Sequence, residues 1–124
     1  MTDDPRTNAP VDPHATRTEL AARHLHAAGL EIVCRGWRNP YGVLDLVARD
    51  AGVTVFVAVT TGSRPGDPLA PGSMPQARQQ RIRRLALLWL ADHDGPRHRI
   101  RFDVVTVVLC TGSDPVIDHH RAVF

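Results

Sequence analysis

Apolar positions along this chain recur first at helical and then at strand spacing. Leu20, Ala21, Leu25 and Ala28 share one helical face, and Thr16 with Glu19 three residues later forms a T-x-x-E capping box in front of it. Gly29 is a natural C-terminal stop, so the spacing predicts a helix that starts at Thr16. The period then shortens. Residues 31–35 (EIVCR) form a short predicted strand and GWRNPYG a turn. Residues 43–49 (VLDLVAR) and 53–60 (VTVFVAVT) are two more strands, joined as a hairpin at Asp50, Ala51 and Gly52. The second of this pair is apolar at nearly every position, as expected of a central strand covered on both faces.

Residues 61–74 are dense in proline and glycine. A loop of that length inside a compact domain is mobile or functional, and without a following Gly-Lys-Ser/Thr it is no phosphate-binding P-loop. A second helix is predicted from about Pro75 to Asp92, with Ser73 as N-cap and Ile82, Leu85, Ala86 and Trp89 as its buried stripe. Residues 101–110 form a further strand and 115–119 a short edge strand. The order is helix, three strands, helix, strand, which predicts an α/β domain with a central mixed sheet flanked by helices. Residues 1–15, with Pro5, Pro10 and Pro13 among polar residues, are expected to be a disordered leader, leaving 16–124 as one domain.

Composition narrows this picture. With 124 residues and 43% hydrophobic content, the chain suits one packed core. No apolar run reaches the roughly 18 residues of a membrane span. The opening MTDDPRTNAPVDPHA is acidic and lacks the apolar stretch of a signal peptide. The expected location is therefore the cytoplasm, with no membrane partner. Cys34 and Cys110 fall in predicted strands without CxxC spacing and are expected to be buried, reduced thiols.

The net charge of +2 gives no global field, but its make-up is informative: the chain has no lysine, and all 15 of its basic side chains are arginine. Arg78, Arg81, Arg83 and Arg84 cluster on the second helix, and Arg97, Arg99 and Arg101 precede a strand. Such a run is either a solvated helix face or a phosphate-contacting one. Arg78 lies in the angular sector of the buried stripe and is expected to point inward, with Arg81, Arg83 and Arg84 on the outer side. His24, His26, His93, His98, His119 and His120 lack the spacing of a zinc motif.

Asp45 stands alone among apolar neighbours in VLDLV. Strand alternation gives it a face with Val43 and Val47, roughly opposite Ala58. A carboxylate there needs a partner, since burying an unpaired charge is costly. Asp103 has an obvious one in Arg101 or Arg99.

The segments TELAARHLHAAGLEIVCRGWRNPYGVLDLVAR, FVAVTTGSRPGDPL, RQQRIRRLALLWLAD, RFDVVTV and HHRAVF, in that order over about residues 17–124, resemble the small bacterial YraN-like family. That family is placed in the restriction-endonuclease-like, PD-(D/E)XK, superfamily. The resemblance implies a restriction-endonuclease-like core. In the family pattern a Gly-Glu-apolar-Asp-Leu segment is followed by Val-Glu-Val-Lys. Gly42, Asp45 and Leu46 match the first, with Val43 in place of glutamate. Val57 and Val59 match the second, with Ala58 for the glutamate and Thr60 for the lysine. Glu19 matches the family's helical acid, Arg78 stands where a lysine is usual, and Arg101, Phe102 and Asp103 match an RFD segment.

Phosphodiester hydrolysis needs divalent ions held by carboxylates and an activated water. Asp45 and Glu19 are the candidate Mg²⁺ or Mn²⁺ ligands, relevant only if nuclease activity persists. Ala58 offers no ligand atom, and no lysine elsewhere can stand in for Thr60. For Glu19 the capping box alone is a sufficient explanation.

Three functions follow from these residues. The first is a non-catalytic protein that binds DNA or RNA through Arg64, Arg78, Arg81 and Arg84. The second is a divergent endonuclease with a rearranged site of Glu19, Asp45 and Asp67. The third is a protein-partner module, with a homodimer through the sheet edge or the second helix as one form.

Overall fold

The computed structural model describes residues 13–61, 74–93 and 99–124. The elements run α1 (Pro13–Ala27), β1 (Glu31–Asn39), β2 (Gly42–Asp50), β3 (Val53–Thr61), α2 (Gln76–His93), β4 (Ile100–Val108) and β5 (Val116–His120). The five strands form one sheet in the order β1-β2-β3-β4-β5. Neighbours are antiparallel except β3 and β4, which are parallel with α2 as their crossover. This is the mixed sheet and α-β-β-β-α-β order expected from the sequence.

The two helices cover opposite faces. Ala21, Ala22 and Leu25 of α1 pack on Leu46, Ala48, Val55, Val57, Val59, Val105 and Val107. Ile82, Leu85, Ala86, Trp89 and Leu90 of α2 pack on Leu44, Val47, Phe56, Ala58, Phe102 and Val104. β3 lies between them, and its residues from Thr54 to Val59 are all buried, which accounts for its lack of polar alternation. Phe56 meets Trp89 edge-on at 5.8 Å and stacks on Phe102 at 5.7 Å, and Phe102 stacks on Phe124 at 5.1 Å. These ring pairs tie α2, β3, β4 and the segment after β5 into one core.

Several local expectations are corrected. α1 begins at Pro13, so residues 13–15 are its first turn and not part of a leader. Proline suits that turn because its missing N–H would have had no helical acceptor. Thr16 and Glu19 therefore lie inside the helix and form no capping box. Ala28 is exposed beyond the helix end, and Ala22 is buried in its place. The C-terminal stop holds: Gly29 takes φ +98°, its N–H reaches His26 O at 3.0 Å, and Leu30 N–H reaches Leu25 O at 3.0 Å, a Schellman closure. β1 runs on to Asn39, so GWRNPYG is mostly strand and the turn shrinks to Pro40 and Tyr41. A register shift between Ile32 and Cys34, and Gly36 at φ +63°, let the longer strand bend. The Ala51–Gly52 hairpin is as expected, with both residues at positive φ. β4 ends at Val108, so Cys110 lies outside it. Both cysteines are free and half-buried, not buried. The long loop, with Arg64, Asp67 and Ser73, and residues 1–12 lie outside the described residues.

Candidate nucleic-acid interface

The candidate site forms where β2 leaves β3. Their pairing runs from Asp50–Val53 to Leu46–Val57 and goes no further. Side-chain alternation breaks at the same point. Leu44 and Val47 both pack on the α2 side, while Leu46 and Ala48 pack on the α1 side. Asp45 sits at the break and does not share a simple face with Val43 and Val47.

Beyond this fork β3 has main-chain groups with no β2 backbone to meet, and side chains take its place. Val59 N–H donates to Asp45 Oδ2 at 2.8 Å. Val59 O accepts from Arg78 Nη2 at 3.4 Å, and the same Nη2 lies 3.8 Å from Asp45 Oδ2. His14, in the first turn of α1, donates from Nε2 to Asp45 Oδ1 at 2.8 Å. Asp45 is 13% exposed, and both of its oxygens are met by hydrogen bonds from Val59 and His14. Arg78 points inward, as its helical position requires.

The other expected positions gather around this carboxylate. Ala58 and Arg78 line a cleft of about 330 Å³ with Gly42, Asp45, Arg81 and Leu85. Glu19 lines a neighbouring one of about 300 Å³ with His14, Arg35, Arg38 and Asp45. Thr60 lines a third with His14, Arg17 and Arg78, and its hydroxyl lies 3.3 Å from that of Thr106. Arg81 and Arg84 are exposed and line a cleft with Tyr41. Arg83 turns away, its guanidinium 5.9 Å from the Phe102 ring and 5.6 Å from the Phe124 ring.

The resemblance implies a divalent ion here, and the residues do not fit one. Magnesium draws on several oxygen ligands. Both oxygens of Asp45 already accept hydrogen bonds, and Glu19 is paired with Arg35 at 3.1 Å and Arg23 at 3.6 Å. Ala58 carries no ligand atom. Among the described residues no group of three or more His, Cys, Asp or Glu side chains is placed to hold a metal. Arg17, Arg35, Arg38, Arg78 and Arg81 outnumber the two carboxylates that line these clefts. The arrangement therefore favours an anion.

A model of the family described as "Uncharacterised protein family UPF0102" matches residues 18–107. The chain belongs to this family. UPF0102 proteins of Nocardia farcinica, Mycolicibacterium smegmatis and Rhodococcus jostii are similar to it. The first is 57% identical over 86% of this chain and 84% of its own length. The second is 45% identical over 82% and 83%, and the third 42% over 86% and 90%. The UPF0102 match spans Glu19, Asp45, Arg78 and Asp103, and His14 and His119 lie outside it.

His14 escapes sequence reasoning, which places it in the leader. The available signal was Pro13, a residue suited to a first helical turn. The full setting of Asp103, which is completely buried, also escapes sequence reasoning. Arg101 grips this carboxylate with two bonds of 2.8 and 2.9 Å, His119 Nε2 donates at 2.7 Å, and Ala122 N–H at 3.0 Å. Burial pushes its pKa up, but the bonds from His119, Arg101 and Ala122 outweigh that and hold it at about 2. The Asp103 bond likewise raises Arg101 above its ordinary value. Arg101 also reaches Asp50 at 3.0 Å, so the cluster ties the β2–β3 hairpin to β4 and β5. No helix among the described residues is long and apolar enough to cross a membrane.

Proposed function

We propose that this UPF0102 chain is a non-hydrolytic, nucleic-acid-binding member of the restriction-endonuclease-like superfamily that acts in the cytoplasm and holds phosphodiesters with arginines instead of a metal. The observation that carries the reading is the state of Asp45. Its carboxylate is occupied by Val59 N–H and His14 and lies beside Arg78, while the two neighbouring motif positions hold Ala58 and Thr60. Such a site lacks the oxygen ligands that would hold a catalytic metal and the lysine of the family pattern. It keeps the fixed positive charge that phosphate contacts use.

The test is a native gel with labelled DNA and RNA at low salt, run with EDTA and with Mn²⁺, beside a denaturing gel of the same samples. Shifts that persist in EDTA, weaken with salt and leave strands intact are the expected result. Mn²⁺-dependent cleavage lost in Asp45→Ala would establish instead the divergent endonuclease of Glu19, Asp45 and Asp67. Absence of any shift at low salt would transfer the assignment to a protein-partner module, for which the exposed Leu87 and Leu88 of α2 offer a surface for a second copy.

A further inference from the structure

Tyr41 is the chain's single tyrosine and is 70% exposed at the tip of the β1–β2 hairpin. The backbone beneath it is fixed from two directions. Asn39 Oδ1 accepts Tyr41 N–H at 2.8 Å, closing the local turn. On the other side Gly42 lies so near α2 that an added Cβ would come within 3.3 Å of Leu85 Cδ1 and 3.7 Å of Arg81 Cδ. Tyr41, Ala77, Gln80, Arg81, Arg84 and Leu85 line a cleft of about 220 Å³. That cleft shares Arg81 and Leu85 with the one containing Asp45 and Arg78.

An exposed ring on a fixed tip therefore opens onto a row of guanidinium groups. Arg78, Arg81 and Arg84 are three residues apart on α2, so their Cα atoms advance about 4.5 Å along the axis at each step. A cationic track combined with an aromatic platform is how proteins hold unpaired strands: phosphates follow the charges and a base stacks on the ring. A continuous duplex offers such a ring no free base face, because each base is already stacked on its neighbours. Resting on the nucleic-acid reading above, we infer that this surface binds single-stranded nucleic acid, with Tyr41 stacking one unpaired base and Arg84, Arg81 and Arg78 following the backbone.

The experiment measures fluorescence anisotropy of the full chain with labelled oligo-dT and oligo-U of about 12 nucleotides, within the site sizes of compact single-strand binders, and with a duplex of equal length, all in EDTA. The wild type is expected to bind the single strands more tightly than the duplex, and comparison of oligo-dT with oligo-U decides between DNA and RNA. Tyr41→Ala is expected to weaken single-strand binding about tenfold while leaving duplex binding and the thermal midpoint unchanged. Tyr41→Phe is expected to retain the affinity. Equal affinity for strand and duplex, or no effect of Tyr41→Ala on the single strand, would overturn this inference and leave the nucleic-acid reading standing. Binding to none of the probes would overturn both.

Discussion

Asp45 and Val59 are joined by a side-chain-to-backbone bond of 2.8 Å at the point where β2 parts from β3. The carboxylate does the work of the missing strand, accepting an N–H that no β2 carbonyl reaches. This gives Asp45 a role in the fold that is independent of any metal. Asp45→Ala is expected to cost about 1–3 kcal/mol, the usual penalty for stranding a buried donor. Asp45→Asn, which keeps an acceptor, should cost less. Urea unfolding separates the two. Because Asp45→Asn also removes a negative charge from the cleft lined by Arg78 and Arg81, its nucleic-acid affinity in EDTA should, on the proposed function, equal or exceed that of the wild type. A loss of affinity in that variant would contradict the metal-free site.

The arginines of α2 predict a salt signature. Each phosphate neutralised on a single strand contributes about −0.7 to the slope of log affinity against log salt. Replacing Arg78, Arg81 and Arg84 together with alanine should therefore flatten the slope by about 2. Arg83→Ala should leave it unchanged, since that guanidinium lies over Phe102 and Phe124. Titrations at several salt concentrations test both statements.

Asp103 links stability to acid. Its folded pKa of about 2 lies below the ordinary 3.8, so the folded state binds its proton less readily than the unfolded chain does. The resulting stabilisation is fully present above about pH 4 and is lost as pH falls toward 2. The shift corresponds to about 2 kcal/mol. Unfolding free energy measured between pH 5 and pH 2 should fall less steeply in Asp103→Asn than in the wild type. Parallel curves would show that the carboxylate is not held as described.

Gly42 predicts a coupled effect. Its φ of +150° is one that other residues rarely adopt, and a methyl group would press on Leu85. Gly42→Ala is expected to destabilise the protein by about 1–3 kcal/mol. By displacing the hairpin tip it should also reduce single-strand affinity, and adding Tyr41→Ala should then weaken binding by less than it does in the wild type. Thermal denaturation and anisotropy on the same samples read both effects.

The sequence by itself determined the element order, the Ala51–Gly52 hairpin, the burial of β3 and the inward stripe of α2 that carries Arg78. Each depends on periodicity or turn chemistry within a few residues, which local steric and hydrophobic preferences decide. It also determined that the chain holds no lysine and that residues 58 and 60 are alanine and threonine, because residue identity requires no geometry. Only the tertiary structure decided what Asp45 touches. His14 is 31 positions away, and the two meet because α1 starts early enough to lay its first turn over the fork between β2 and β3. The extension of β1 to Asn39 was equally hidden, since Gly36 and Pro40 both read locally as turn residues. That extension carries Tyr41 out to Arg81 and Arg84. Arg101, two residues away on the same strand, was a legible partner of Asp103, but His119 of β5 and the N–H of Ala122 reach it only on closure of the sheet. Local pattern specifies elements; which side chains share a charge or a cleft is set by where strands diverge and helices dock, and short-range periodicity carries no record of that.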